Sequence, residues 1–545
     1  MHYYNTISSI NKQRGVALIV LFITIIATGA VFFISTQISN NGQLIAENKT
    51  TAALAKAKNA IISHAVSYYF STSPGHHGFL PCPETRNSTS EGSAVLNCAI
   101  GGARYANQLG RLPWKTLQTS PLKDASGECL WYAMSGSFSP SPRALMLNDD
   151  TPGMFQVFNE NASLFKGTTA EDRIIAIIMA PGLPLNNQSR PNITTNVACK
   201  VPRNLVNASN YLDTFQNINN AAVDNINPDR VDQFIASNSR IDNPSINDRV
   251  ITITHNEIFD AIKSRQAMYA DKIKVLGETI GQCLISYAQA AAAIPSSCTN
   301  ITNCYANCTN ARSLCLASAG TGLEIAACQT AHAACRRNCR DNCLAGSGAP
   351  PVIYRLPWPA AINLNADYRI NTSYSDQAPS STLLGRLPFT TINSSAIIPN
   401  TNDADIFETC ALSASSPEMF NLWQNWKDHW FYVVGSDFAP NASSTPPSPC
   451  VNCPQFNNGT RYAALLIFSG ERINNQLRRA NETENPDPLI ANSKASLANY
   501  LEGSNVANAL DPQGNGNYDT PNSNDRIFCI PQDLTPPATA SECTP

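Results

Sequence analysis

The sequence predicts an α+β protein with a long N-terminal helix, two repeated antiparallel-sheet domains and a cysteine-rich helical hairpin. Three observations support this prediction. An uncharged apolar run near the N-terminus passes directly into an amphipathic helical pattern. Five sequence blocks recur in the same order in two parts of the chain, and nine of the 18 cysteines fall between Cys283 and Cys343.

The N-terminal helix begins with the apolar segment Val16–Ile34, VALIVLFITIIATGAVFFI. As a helix, this segment would span roughly 28 Å, close to the hydrocarbon thickness of a bilayer. Lys12 and Arg14 precede it and the first acid after it is Glu47, which predicts a cytoplasmic N-terminus and an exported remainder. Apolar residues recur at helical spacing over Ile38–Phe70, so we expect the helix to continue beyond the membrane.

The residues around Gly15 resemble a known processing site. Lys12-Gln13-Arg14-Gly15 followed by Val16-Ala17-Leu18-Ile19 resembles the cleavage site of type IV prepilins and type II secretion pseudopilins. The resemblance implies that a prepilin peptidase cuts between Gly15 and Val16 and that the helix then packs with other pilin or pseudopilin subunits. Major pilins carry Glu at the fifth mature position, where this chain has Val20, as in minor subunits at a filament tip. A plain signal anchor on an unrelated ectodomain is the alternative.

The chain contains two copies of one pattern. Copy A has GRLPW from Gly110, LWYAMSGSF from Leu130, RIIAIIMAPGLPLNNQSR from Arg173, NYLD from Asn210 and NDRV from Asn247. Copy B has GRLPF from Gly385, HWFYVVGSDF from His429, RYAALLIFSGERINNQLR from Arg461, NYLE from Asn499 and NDRI from Asn524. The third block aligns without a gap, so we interpret the pattern as a duplication.

Each copy has the composition of a small sheet domain. Short apolar runs followed by glycine, such as Ile174–Ile178 and Ala463–Phe468, predict buried strands and turns. The motifs LPCP, GRLPW and LWYA resemble those of large prepilin-like proteins, which implies two pilin-like domains. The resulting division is leader 1–15, transmembrane and amphipathic helix 16–70, copy A 71–255, cysteine-rich helical insert 256–349 and copy B with the C-terminal tail 350–545.

Composition and motifs argue against several function classes. With 37 basic and 40 acidic residues, the net charge is −3, and no clustered basic surface indicates a nucleic-acid partner. The sequence has no nucleophile elbow, P-loop, H-E-x-x-H or dinucleotide fingerprint. We therefore expect a protein that is not an enzyme.

Matched polar residues follow the central strand of each copy. They are Gln188, Arg190 and Asp213 in copy A, and Gln476, Arg478 and Glu502 in copy B. An arginine in such a place could bind a ligand carboxylate. Because two domains rarely keep equivalent active sites, we favour an internal Arg–acid clamp that ties the post-strand loop to the next element.

Two loops carry potential metal ligands. Asp511, Asn515, Asn517 and Asp519 form an oxygen-rich loop that could hold Ca²⁺, although its spacing is not that of an EF-hand and an ordinary polar loop is the alternative. No other cofactor is indicated. For His76-His77 we expect a solvated loop, since adjacent side chains on a strand would point to opposite faces.

The clustered cysteines predict a disulfide-bonded hairpin on the oxidising side of the membrane. Cys304, Cys308 and Cys315 stand at i, i+4 and i+11, and Cys328, Cys335 and Cys339 stand at i, i+7 and i+11, so each triplet falls on one helix face. The glycines of the loop 318–322 can turn the chain between them. The mirror-image spacing pairs Cys304 with Cys339, Cys308 with Cys335 and Cys315 with Cys328, with Cys298 and Cys343 as a fourth pair.

The remaining cysteines are less constrained by spacing. Cys82 with Cys98, and Cys529 with Cys543, are close enough to join local loops. A zinc site is the alternative for the cluster, which offers one histidine, His332. The sequence leaves open the pairing of Cys129, Cys199, Cys283, Cys410, Cys450 and Cys453.

Together these features predict a minor pilin-like or pseudopilin-like structural subunit of a type IV pilus or type II secretion-type filament. It would cross the inner membrane once and present its ectodomain in the periplasm or on the cell surface. A membrane-anchored surface adhesin, with an unknown ligand, is the nearest alternative. A tethered periplasmic hydrolase is the alternative from another class.

Overall fold

The chain is α+β in a computed structural model. The structure describes residues 44–67, 77–98, 103–191, 197–227, 230–237, 245–265, 269–290, 301–318, 328, 331–332, 334–335, 338–339, 353–363, 366–377, 383–397, 405–442, 446–473, 476–478, 493–508, 514–520 and 524–544. Within these ranges, no helix combines the length and apolar character needed to cross a membrane. The predicted membrane segment Val16–Ile34 and the cleavage site Gly15-Val16 lie outside the described residues.

Helix α1 covers 44–67, inside the predicted amphipathic segment. One face of it is buried, through Leu54, Ala57, Ile61, Ala65 and Val66. Their spacing of three or four residues matches one face of an α-helix. Each fully buried aliphatic side chain stabilises the packed state by roughly 1.5–3 kcal/mol, so this face holds α1 against the rest of the protein.

Copy A contains a mixed sheet and a separate antiparallel pair, β6–β7. The strands of copy A are β1 (Gln108–Arg111), β2 (Trp131–Met134), β3 (Phe155–Phe158), β4 (Leu164–Lys166), β5 (Ile174–Ala180), β6 (Thr214–Phe215), β7 (Ile218–Asn219), β8 (Asp232–Ile235) and β9 (Arg249–Thr254). The order β1-β2-β5-β9 is antiparallel throughout. Strand β3 pairs with β5, β4 and β8. The β3–β8 pair is parallel, so the prediction of a fully antiparallel sheet is wrong for copy A.

Copy B contains a five-stranded sheet in the order β10-β11-β13-β15-β16. Its strands are β10 (Leu384–Arg386), β11 (Trp430–Val434), β12 (Gln455–Phe456), β13 (Ala464–Phe468), β14 (Asn517–Tyr518), β15 (Arg526–Ile530) and β16 (Ser541–Glu542). The main sheet is antiparallel. Strands β12 and β14 form a separate parallel pair.

The helices after copy A are α2 (His255–Arg265), α3 (Tyr269–Ala290) and α4 (Ile301–Ser318), and those of copy B are α5 (Ile392–Ile397), α6 (Leu412–Ser415), α7 (Pro417–Trp426) and α8 (Gly503–Ala507). Helix α2 begins with a capping box, in which the Thr254 amide donates to Glu257 Oε2 at 3.0 Å and the Glu257 amide donates to Thr254 Oγ1 at 3.4 Å.

The two copies share strand registers residue by residue. Tyr132 lies opposite Gly110 and Ile178 in copy A, and Tyr432 lies opposite Gly385 and Leu466 in copy B. On the next strand, Ile178 faces Ile251 as Leu466 faces Phe528. The sequence blocks align these same positions, so the duplication predicted from sequence extends to the hydrogen-bond register of four strands.

The structure reveals a sixth repeated block. Leu80-Pro-Cys-Pro-Glu84 in copy A matches Leu356-Pro-Trp-Pro-Ala360 in copy B. The backbones of Glu84 and Arg111 exchange two hydrogen bonds of 2.9 Å, and the backbones of Ala360 and Arg386 do the same. The glycine of each GRLP motif is required here, because a Cβ at Gly110 or Gly385 would collide with the carbonyl oxygen of Glu84 or Ala360.

One hydrophobic core joins the helices and both sheets. It contains the buried face of α1, alternate residues of the strands such as Tyr132 and Tyr432, and the face of α3 that includes Leu276 and Leu284. The opposite strand faces form a separate smaller cluster in each copy. Helices α2 and α3, which the sequence analysis assigned to the insert, therefore belong to this shared core.

Candidate functional site

The described residues of the cysteine cluster are helical and joined by disulfides. Helix α4 carries Cys304, Cys308 and Cys315, and the described residues at 328, 331–332, 334–335 and 338–339 are helical. Disulfides join Cys304 to Cys339, Cys308 to Cys335 and Cys315 to Cys328, with Cα–Cα distances of 6.0, 5.8 and 5.7 Å, respectively. Cys298, Cys343 and the residues 319–327 lie outside the described residues.

Five further disulfides join described cysteines. Cys82–Cys98 and Cys529–Cys543 are the local pairs expected from the sequence. The pairs that the sequence left open are Cys129–Cys199, Cys283–Cys410 and Cys450–Cys453. Two groups of side chains lie close enough to share an ion, Cys304–Cys308–Cys339 and Asp437–Cys450–Cys453. A zinc site needs cysteine thiolates, however, and the cysteines of both groups form disulfides.

The matched Gln and Arg residues form internal clamps in both copies. Arg190 donates to the carbonyl oxygens of Gly182 and Asn210 at 2.7 and 3.2 Å, and its guanidinium lies 4.9 Å from the Tyr211 ring. In copy B, Arg478 makes the equivalent contacts with Gly470, Asn499 and Tyr500. The downstream acids are held by the glutamines, at 3.1 Å for Gln188–Asp213 and 2.7 Å for Gln476–Glu502. The acids are thus bound by the glutamines and not, as the sequence analysis predicted, by the arginines. The polar groups of the clamps satisfy one another within the fold, which supports a structural interpretation over ligand binding.

Removing one clamp should cost stability without changing the rest of the fold. We expect Arg190→Met to lower the free energy of unfolding by about 2–3 kcal/mol, because carbonyl groups of the post-strand loop lose a charged donor. Urea unfolding of the full chain in detergent measures this change. The exposed Arg230→Met is the matched control and should stay within about 0.5 kcal/mol of wild type. Equal effects of the two substitutions would contradict the clamp.

Behind each clamp lies a pair of buried carboxyl groups. Asp213 Oδ2 accepts from the Asp248 amide at 2.7 Å, and Asp248 Oδ2 accepts from the Asp213 amide at 2.8 Å. The equivalent pair in copy B is Glu502 and Asp525. Burial, with Glu502 beside it, raises the pKa of Asp525 to about 7. Burial and Asp213 together raise the pKa of Asp248 well above its usual range.

The Asp525 carboxyl should make the protein less stable as the pH rises from about 4 to about 7. In this window the native state binds a proton that the unfolded state has already lost, so the free energy of unfolding falls with increasing pH. We expect Asp525→Asn, which resembles the protonated acid, to remove roughly 2–3 kcal/mol of this decline. Thermal unfolding at pH 4.5 and pH 7.5 measures it. An unchanged pH slope in the variant would rule out this group as the cause.

A larger buried charge cluster joins the two copies, and the sequence analysis did not identify it. The Asn148–Thr151 loop of copy A meets Asp428 and His429, which directly precede strand β11 of copy B. His429 Nε2 lies 2.9 Å from Asp150 Oδ2, and His429 Nδ1 lies 2.9 Å from Asp428 Oδ1. Asp150, Asp428 and His429 are almost completely inaccessible to solvent. We call Asp149, Asp150, Asp428, His429 and Lys494 the inter-copy charge cluster.

Asp428 is the centre of the inter-copy charge cluster. Its carboxylate accepts from Asn148 Nδ2 at 2.9 Å, from Lys494 Nζ at 2.5 Å and from the Tyr500 hydroxyl at 3.2 Å. Burial alone would raise the pKa of Asp428, but Lys494 and His429 hold it well below its usual range. Burial would lower the pKa of His429, but Asp428 and Asp150 raise it above its usual range, which favours the protonated imidazole.

The inter-copy charge cluster has the chemistry of a structural ion network. Asp149, Asp150 and His429 offer ligand atoms within 4.8 Å of one another, as a metal site would. However, both ring nitrogens of His429 face carboxylates, and Arg478 and Lys263 lie 3.9 and 3.0 Å from Asp150 and Asp149, respectively. These cations already balance the acids. The His–Asp pairs are also inaccessible to solvent, which favours a structural role for them.

Three of the four predicted calcium ligands lie among the described residues. Asn517 lies in strand β14, and its Oδ1 accepts from the Asn458 amide at 2.6 Å. The backbone of Asp519 pairs with the Asn505 side chain at 3.0 and 3.1 Å, and Asn515 is half-buried. Asp511 and His76 lie outside the described residues. His77 is buried rather than solvated, because it packs near Phe259 and Trp426. Calcium binding stays a prediction.

No protein-family model, curated protein or solved structure matches the chain.

Proposed function

We propose that this chain is a minor pilin-like or pseudopilin-like structural subunit. It is cut by prepilin peptidase between Gly15 and Val16, crosses the inner membrane once with a cytoplasmic N-terminus, and assembles with other pilin-type subunits through the helix that follows. Its two pilin-like sheet domains and cysteine-rich hairpin form an ectodomain in the periplasm or on the cell surface. The protein is not an enzyme.

The packing of α1 is the observation that supports this proposal most. Helix α1 begins at residue 44, ten residues after the end of the apolar segment in the sequence, and its buried face is part of the core shared by both copies. Polar contacts add to this packing: Lys58 Nζ donates to the Thr252 carbonyl at 2.9 Å, and the Ala125 amide donates to Thr50 Oγ1 at 3.0 Å. A flexible tether would not need such contacts. An N-terminal helix fixed to its sheet domain transmits the position of the membrane segment to the whole ectodomain.

Incorporation into a filament is the test of this proposal. Cross-linking in intact cells, followed by shearing, should recover trace amounts of the mature protein bound to pilin-type subunits. Gly15→Val, which should block processing, is the matched variant and should be missing from these products. Recovery of both forms only as isolated inner-membrane proteins would contradict a filament subunit and favour a tethered enzyme or signal anchor.

A further inference from the structure

The loops that follow the central strands of the two copies differ at their tips. The gapless sequence block aligns Leu183-Pro184, after strand β5, with Glu471-Arg472, after strand β13. Leu183 is 69% exposed, although the Arg190 clamp fixes the loop that carries it. The same clamped loop therefore presents an apolar tip in copy A and a charged tip in copy B.

The charged tip of copy B lies at the junction between the copies. Glu471 pairs with Lys263 of helix α2 at 2.8 Å, and Arg472 pairs with Glu171 of copy A at 3.3 Å. Glu171 stands three residues before strand β5, whereas Leu183 stands three residues after it. The seven residues of β5 span roughly 23 Å, so Leu183 lies at the end of copy A that faces away from copy B.

Helix α1 begins at this same end of copy A. Its Glu47 lies 3.7 Å from the guanidinium of Arg249, the first residue of strand β9. Eleven residues later, Lys58 reaches the carbonyl of Thr252, near the other end of that strand. Helix α1 and strand β9 therefore run side by side in the same direction, and the chain enters α1 from the end that carries Leu183.

Hydrogen bonds join the Leu183 loop to the start of β9 and to α1. Asn247, two residues before β9, donates from its side-chain amide to the Leu183 carbonyl at 2.5 Å. The Gly182 amide donates to the Asp124 carboxylate at 2.9 Å, and the next residue, Ala125, donates to α1. The loop and the first turns of the helix thus belong to one fixed surface.

This surface has apolar residues with basic residues near them. Leu44 and Ile45, in the first turn of α1, are 48% and 68% exposed, and we call them, together with Leu183 and Pro184, the apolar end. Grouped exposed apolar side chains mark an interaction surface, whereas single ones are ordinary. The neighbouring basic side chains are exposed or half-buried, and two accessible acids, Glu47 and Glu128, lie among them: Lys49, Lys123, Lys200 and Arg249.

The predicted membrane segment ends close to the apolar end along the chain. Its last residue, Ile34, precedes Leu44 by ten residues, which a helix covers in roughly 15 Å. The headgroup layer takes up roughly 5–8 Å of this distance. A helix tilt of about 30°, within the usual range, lowers a loop packed about 10 Å from the helix axis by about 5 Å. The remaining gap is within the length of a leucine side chain.

From these observations we propose that the apolar end of copy A rests on the outer face of the inner membrane. Leu183 lies among the lipid headgroups, and the basic residues face the phosphates of anionic lipids. This contact complements the charged tip of copy B, because each clamped loop then matches what it meets. The inference rests on one part of the proposed function, the membrane segment Val16–Ile34, and not on cleavage or filament assembly.

Photo-crosslinking of the full chain tests this inference, in vesicles of phosphatidylethanolamine and phosphatidylglycerol. The photoreactive residue p-benzoylphenylalanine replaces Leu183, and phospholipid adducts are measured by mass spectrometry. The matched control replaces Val451, which is 61% exposed and close to Gly435, at the end of the copy B sheet opposite to Glu471. A third chain carries the photoreactive residue in place of Phe22, inside the membrane segment.

We expect the lipid adduct at Leu183 to form in at least ten-fold higher yield than at Val451, and the adduct at Phe22 to form as well. Adducts at Phe22 without adducts at Leu183 would overturn the inference and leave the membrane segment intact. No adducts at either position would contradict the membrane segment itself, and the inference with it. Equal yields at Leu183 and Val451, or a link from Leu183 to a second protein chain instead of lipid, would also overturn it.

Discussion

Replacing both Cys283 and Cys410 with alanine should lower the free energy of unfolding by about 5 kcal/mol. This disulfide connects helix α3 to copy B across a sequence separation of 127 residues. In the chain-entropy model, closing a loop of that length removes about 5 kcal/mol of conformational entropy from the unfolded state. Urea unfolding of the full chain in detergent, without reductant, measures the loss.

The Cys450–Cys453 disulfide provides the matched control, because its cysteines are three residues apart in sequence. The same model predicts that replacing this pair with alanine costs about 2 kcal/mol. A similar loss for both double variants would show that loop length does not govern these disulfides.

Asp428→Ala should lower the free energy of unfolding by about 3–5 kcal/mol. The substitution leaves Lys494 and the protonated His429 buried without their main acceptor, and an uncompensated buried charge is strongly destabilising. Because the acid contacts Asn148 of copy A, we also expect the association of the two copies to loosen, with faster amide hydrogen exchange in the Asn148–Thr151 loop.

Two comparisons make the Asp428 result specific. Asp260→Ala, at an exposed position of α2, should change stability by less than about 0.5 kcal/mol. Adding Lys494→Met to Asp428→Ala should cost less than the sum of the two single losses, by about 0.5–3 kcal/mol, because the two residues share one contact. Additive losses would mean that the inter-copy charge cluster does not act as a unit.

The elements that the sequence predicted are those with local signals. Apolar runs predicted strands β5 and β13. The two runs align without a gap in the sequence, and the aligned positions have the same strand register in both copies. The mirror-image spacing of Cys304, Cys308 and Cys315 with the second triplet predicted three disulfides, because two helices with fixed pitch allow few pairings. In each case the information lies within one or two segments.

The features that the sequence did not predict combine distant segments. Cys283–Cys410 joins residues with no periodic relation, so spacing alone could not pair them. The inter-copy charge cluster draws on the loop at Asn148, on Asp428-His429 and on Lys494, three segments that only the folded copies bring together. Its sequence signal was weak but real: Lys427-Asp428-His429 places three titratable residues directly before an aromatic strand.

The correspondence between Glu84 and Ala360 was hidden for a different reason. The LPCPE and LPWPA blocks share Leu and two Pro residues, which is too little to align without the hydrogen bonds of Glu84 and Ala360 to the GRLP strands. Once they are aligned, the two copies differ at one informative position, a carboxylate in copy A and a methyl group in copy B.

N-terminal sequencing of the mature protein isolated from membranes tests the central claim most directly. Cleavage by prepilin peptidase predicts a chain that begins at Val16, and Gly15→Val should leave the leader attached. An intact residue 1 in the wild-type protein, or a cut after Ala27 or Ala30 as a secretory signal would give, would contradict the assignment to pilin-like subunits.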